Sequence, residues 1–109
     1  MEIIPFQNDL PSFSEEVTID GIPYILDFSW NSRGEFWSMS IYNRDQTPLI
    51  LGVKLVLFFG LINKFVDIGL PPGDIYVVDP SGNTEKLNQN DFETRAYLIY
   101  LSENEIESL

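Results

Sequence analysis

The sequence predicts an all-β protein, a small antiparallel β-barrel or sandwich of about six or seven strands. Apolar and polar residues alternate with a period of two over strand-length segments, whereas helical periodicity is nowhere sustained. Turn-forming residues recur at short intervals between those segments. The aromatic residues, eight Phe, five Tyr and two Trp, suit a pleated sheet better than a helix.

Residues 1–11 contain Pro5 and Pro11 and are expected to form an extended arm, tucked against the body by Ile3, Ile4 and Phe6. Phe13, Glu15, Val17 and Ile19 then alternate with Ser14, Glu16 and Thr18, as in a half-buried strand. Asp20-Gly21 is a hairpin signal, since both central residues of a type I′ turn need positive φ. The return strand places Ile22, Tyr24, Leu26, Phe28 and Trp30 on one face. After the turn Asn31-Ser32-Arg33-Gly34, Trp37, Met39 and Ile41 form the inner side of a third strand, with Ser38 and Ser40 outside.

Arg44-Asp45-Gln46-Thr47 closes a second hairpin and leads into PLILGVKLVLFFGLI, Pro48 to Ile62. That run is too short for a membrane span, which needs about 20 apolar residues, and Lys54 interrupts it. Strict alternation puts Leu49, Leu51, Val53, Leu55, Leu57 and Phe59 on one face, with Ile50, Val56 and Phe58 on the other. A strand apolar on both faces is expected to be covered on both. Gly60 to Gly73 reads as a loop or short helical turn, ended by Leu70-Pro71-Pro72-Gly73. Asp74 to Asp79 is a short strand, Pro80 to Asn83 a turn, and Asn90 to Glu93 a brief helical turn. Arg95 to Leu101 is the last strand, again apolar on both sides. The expected organisation is an arm (1–11), one β domain (12–101) and an acidic tail (102–109), which is expected to be mobile or ordered by a partner.

The chain has 109 residues, 44% of them hydrophobic, which is enough for one domain with its own core. It has no Cys and no His, so disulfides, thiolate metal sites and the usual general base are excluded. MEIIPFQND carries no basic segment before an apolar run, so the chain is expected to be cytosolic when made. Seventeen acidic residues against six basic ones give a net charge of −11, which disfavours nucleic-acid binding and favours solubility.

Few residues suggest chemistry. Asp27, between Leu26 and Phe28, is the best candidate for a carboxyl with raised pKa, but the alternation puts it on a solvent face. Asp79, Ser81 and Asn83 mimic the start of a calcium loop, yet an EF-hand needs Gly and Glu where Thr84 and Asn90 stand. No phosphate-binding loop, dinucleotide fingerprint or serine-nucleophile elbow exists. No catalytic residue, cofactor or metal is expected, and the protein is read as a non-enzyme. Trp30, Trp37, Tyr42, Tyr97 and Tyr100 offer stacking surface for bases or sugars, but core packing explains most of them. Surplus apolar surface remains as the functional signal, because exposed apolar patches mark protein interfaces.

The segments IIPFQND, VTIDGIPYILDFSWNSRGEFWSMSIY, TPLILGVKLV, PPGDIYVVDPSGN and RAYLIYL, in that order, resemble the phage baseplate plug proteins of cyanophage contractile tails. The resemblance covers Ile3 to about Glu103. It implies a virion structural protein of the tail baseplate, made in the host bacterial cytoplasm, sealing or adapting the tail tube to hub and spike. Its neighbours would be hub, spike and tail-tube initiator proteins, with several copies around the tail axis, no sequence-specific nucleic-acid contact and no membrane insertion. The family has no catalytic residues to transfer. The acidity would keep the subunit soluble before assembly and line a lumen through which DNA slips. The residues expected at such interfaces are Leu57, Phe58, Phe59, Leu61 and Ile62, with Pro71, Pro72 and the arm at Pro5 and Phe6. An alternative is a small acidic DNA-mimic inhibitor, although a mimic arrays carboxylates along one face and the acids here are spread through turns and tails, with only Glu15-Glu16 adjacent and the 103-105-107 set alternating. A third is a carbohydrate-binding module using Trp30 and Trp37.

Overall fold

The computed structural model describes residues 2–7, 9–62, 70–82 and 87–107. Seven strands form: β1 (Glu2–Ile4), β2 (Ser12–Ile19), β3 (Ile22–Asn31), β4 (Phe36–Asn43), β5 (Pro48–Lys54), β6 (Asp74–Val78) and β7 (Tyr97–Leu101). They make a four-stranded sheet, β2-β3-β4-β5, and a three-stranded sheet, β1-β7-β6, with antiparallel pairing throughout. The sheets pack as a sandwich and do not close into a barrel. A short helix, α1 (Glu103–Glu107), follows β7.

The large sheet is built by consecutive hairpins whose turns follow from their residues. At the β2–β3 tip Asp20 and Gly21 have φ of 52° and 78°, the two positive values that a type I′ turn demands. Asn31 Oδ1 accepts the N–H groups of Arg33 and Gly34 at 3.0 Å, closing the β3–β4 turn. Asn43 Oδ1 does the same for Asp45 and Thr47, and Gln46 takes the left-handed position at φ 67°. With register so fixed, Phe13, Ile19, Tyr24, Leu26, Phe28, Trp37, Met39 and Ile41 all turn inward.

The small sheet closes the core from the other side with Ile4, Ile75, Val77, Leu98 and Tyr100. Tyr100 ties the sheets together: its hydroxyl donates to Asp20 Oδ2 at 2.6 Å and accepts the Gly73 N–H at 2.8 Å. Burial and the hydrogen bond to the Asp20 carboxylate push the phenol above its usual range.

The expected arm is part of the fold. β1 pairs with β7, and Ile4 and Phe6 are buried. The Phe6 ring stacks on Phe92 and meets Phe28 and Trp37 at 4.8 and 4.9 Å. The tail is also structured in part, since Ser102 and Glu105 form a capping box over α1. Around Asn90 to Glu93 there is a turn without a helix, held by bonds to Asp91 O and a Phe92–Ala96 bridge. Within the expected Gly60–Gly73 loop, residues 63–69 lie outside the described residues.

Candidate docking surface

Among the described residues, the large apolar side chains that stand open to solvent are Ile3, Leu10, Ile22, Leu51, Phe58 and Phe59. The last three share one corner, where the chain leaves β5 and crosses to the small sheet. Two backbone irregularities put them there.

The first is a β-bulge in β5. Ile50 faces Ile41 and Val53 faces Met39, so Leu51 and Gly52 together oppose Ser40 alone. Gly52 adopts φ 69°, and its N–H donates to Ser40 Oγ at 3.0 Å. The extra residue flips the alternation, so the inward set runs Ile50, Val53, Leu55 while Leu51 is 65% exposed. Sequence alternation had grouped Leu51 with Val53 and Leu55 and placed Ile50 opposite; the bulge reverses that grouping, and Gly52 was its available signal.

The second irregularity is Phe58, a bulky residue at φ 63°. A left-handed backbone costs a residue with a Cβ about 1–2 kcal/mol, so its surroundings must enforce it. They do: the Phe58 N–H donates to Val77 O at 2.8 Å, Leu57 bridges Val77, and the Leu61 N–H donates to Ile75 O at 3.0 Å. Asp74 Oδ1, buried, then accepts the Ile62 N–H at 2.8 Å. The turn pinned by these bonds leaves Phe59 69% exposed and Phe58 43% exposed.

Beside the phenylalanines lies an apolar hollow of about 490 Å³, walled by Phe36, Trp37, Leu55, Val56, Leu57 and Leu87. Its charged lining residues are Glu35 and Lys54. Lys54 Nζ sits 5.0 Å over the Phe36 ring, a cation–π contact at the rim. A second hollow on the other side of Phe59 is lined by Leu51, Val53, Val56 and Leu61. The corner is therefore an aromatic ridge beside two apolar depressions, with Glu35 and Lys54 at its edge among the described residues.

The nine residues expected at interfaces divide. Phe58, Phe59 and half-buried Leu57 belong to the corner, and Pro5 and Pro72 are exposed elsewhere. Phe6, Leu61, Ile62 and Pro71 are buried within the chain itself and offer no surface, a correction to the sequence reading. Leu61 and Ile62 are drawn in by the bonds to Ile75 O and Asp74, and Phe6 by its aromatic neighbours.

The residues weighed for chemistry are otherwise occupied. Asp27 is exposed and accepts the Ser14 hydroxyl at 2.7 Å. Asp79 Oδ1 accepts both the N–H and the hydroxyl of Ser81. The Ser81 hydrogen bonds hold the Asp79 carboxyl below its usual range. Asn83 and Thr84 lie outside the described residues. Trp37 is 1% exposed and Trp30 meets it edge-on at 5.7 Å, so neither forms an open platform. Glu15 and Glu16 alternate along β2, with Glu15 half-buried and Glu16 exposed, so they do not make the adjacent pair a DNA mimic needs.

The family model described as cyanophage baseplate Pam3 plug gp18 matches residues 1–103, nearly the whole chain. No curated protein matches it.

Proposed function

We propose that this chain, which belongs to the cyanophage baseplate plug family, acts as a non-enzymatic structural subunit that seals or adapts the end of the tail tube at hub and spike. Family membership places it in the virion tail baseplate among other baseplate components. The hub, spike and tube-initiator proteins are the neighbours that would meet it, in several copies around the tail axis, after synthesis in the host cytoplasm.

The observation that carries the reading is the corner at Leu51, Phe58 and Phe59. A folded domain that already buries its core gains nothing by holding two phenylalanines in water on a strained turn. Covering them with a partner recovers about 25 cal/mol per Å² of apolar area. The net charge of −11 opposes non-specific self-association and contact with DNA. A subunit with an apolar docking corner on an acidic body suits a plug that must be soluble alone and fixed once seated.

A cryo-EM map of the intact tail tip tests the proposal. The chain is expected near the tail axis, between tube end and hub, with Phe58 and Phe59 covered by another protein. A map that places it with that corner in solvent, or away from the axis, would overturn the reading.

A further inference from the structure

The segment that carries Phe6 is held by one acidic residue that faces a second. The Phe6 N–H donates to Glu93 Oε1 at 2.9 Å, and the Phe6 ring stacks on Phe92 with centroids 4.1 Å apart. Glu93 keeps this position at φ 67°, with its own N–H donating to Ala96 O at 2.8 Å. Opposite this turn, Glu15 projects from β2 on the same face as Phe13, whose ring lies 5.0 Å from Phe6. Glu15 Oε1 is sealed from solvent and has no hydrogen-bond partner among the described residues. An ionised carboxylate without a donor is costly there, and a neutral one far less so.

Among the described residues, no base relieves the pair. Glu93 is the charged group that acts on Glu15. On its own strand Glu16 points to the opposite face; on β3 the residue facing Glu15 is Leu26, and Asp27 points outward to Ser14. Arg95, two residues beyond Glu93, has its Nε 3.6 Å from carboxylate oxygens of both Asp79 and Asp91.

The geometry points to a proton-operated latch on the N-terminal arm: neutral Glu15 lets Glu93 hold Phe6, and ionised Glu15 repels Glu93 and loosens that hold. Release would also uncover the edge of β7 on which β1 is paired. Burial first, and the Glu93 charge second, raise the Glu15 carboxyl from 4.5 to about 7. The docked arm therefore retains a proton that a solvent-exposed carboxyl releases near pH 4.5. Docking is strongest below that value, weakens as pH rises toward about 7, and is level above it. The shift sets a ceiling of about 300-fold on the change in docking equilibrium. Glu15 is partly open to solvent, so screening reduces the expected effect to about tenfold.

Amide hydrogen exchange on the full chain from pH 5 to 8.5, corrected for intrinsic exchange, reads this directly and does not depend on the tail assignment. Protection of the Phe6 amide is expected to fall about tenfold between pH 5 and 7 and to level off above, while β3 and β4 amides stay protected. Glu15→Gln should hold protection high and flat. Glu93→Gln, which keeps the acceptor without the charge, should shrink the step without abolishing it, since burial is the larger cause. Wild-type protection independent of pH, or a step of full size in Glu15→Gln, would overturn the latch.

Discussion

The outward face of β2, β3 and β4 and the corner after β5 are both surface, yet they are made of opposite materials. On the sheet face the alternation is unbroken, and it presents Ser12, Ser14, Glu16, Thr18, Asp27, Ser29, Ser38 and Ser40. Its apolar and aromatic members Pro23, Ile25, Phe36 and Tyr42 are each half covered. At the corner the alternation is broken twice, at Gly52 and at Phe58, and each break turns apolar side chains outward. The exposed grease is thus not a remainder that a thin domain failed to cover. Among the described residues, half of the large exposed apolar side chains, Leu51, Phe58 and Phe59, lie where the backbone departs from regular geometry, and one of those departures carries strain.

Four substitutions sharpen the contrast between buried and displayed apolar groups. Leu61→Ala, only two residues beyond Phe59 but 1% exposed, should cost about 3 kcal/mol in urea unfolding through the cavity it leaves. Tyr100→Phe removes the bond to Asp20 and orphans the Gly73 N–H, and should cost about 2 kcal/mol in the same measurement. Gly52→Ala meets no atom within 4 Å but must adopt φ 69°, so a loss of about 1 kcal/mol is expected from conformation alone. Phe58→Gly relieves the left-handed turn at the expense of a half-exposed ring, and a net gain of about 0.5 kcal/mol is expected. A loss above about 2 kcal/mol for Phe58→Gly would mean that the ring is packing and not display, and would erase the distinction between the two regions.

Much of the sandwich was legible because local chemistry and global register agree. Asp20-Gly21 and Asn31 each fix a turn by a mechanism visible in the residue itself, and the strands between them keep period two; the turn at Arg44 to Thr47 was also legible, but not that Asn43 before it would close it. What could not be read depended on long-range partners. Nothing local announces that Asp74 will capture the Ile62 N–H, or that Phe6 will lie between β2 and the turn at Phe92. Those contacts moved Leu61 and Ile62 from expected surface to core, and of the two expectations for Phe6, tucked against the body or open at an interface, they realise the first. Gly52 did carry a signal, since an isolated glycine in a strand often marks a bulge, and its consequence was Leu51. The corner itself was half legible: Phe58 and Phe59 by their place in the apolar run, but not the tethers to β6 that hold them out.

The most direct test pairs folding with assembly in a single variant, Phe59→Asp. Because the ring is 69% exposed, a change in unfolding free energy within about 0.5 kcal/mol of zero is expected. Loss of the subunit from tails is expected alongside when the variant complements a plug-deficient phage. Normal incorporation of Phe59→Asp into infectious tails, with its stability intact, would contradict the claim that this corner is where the protein docks.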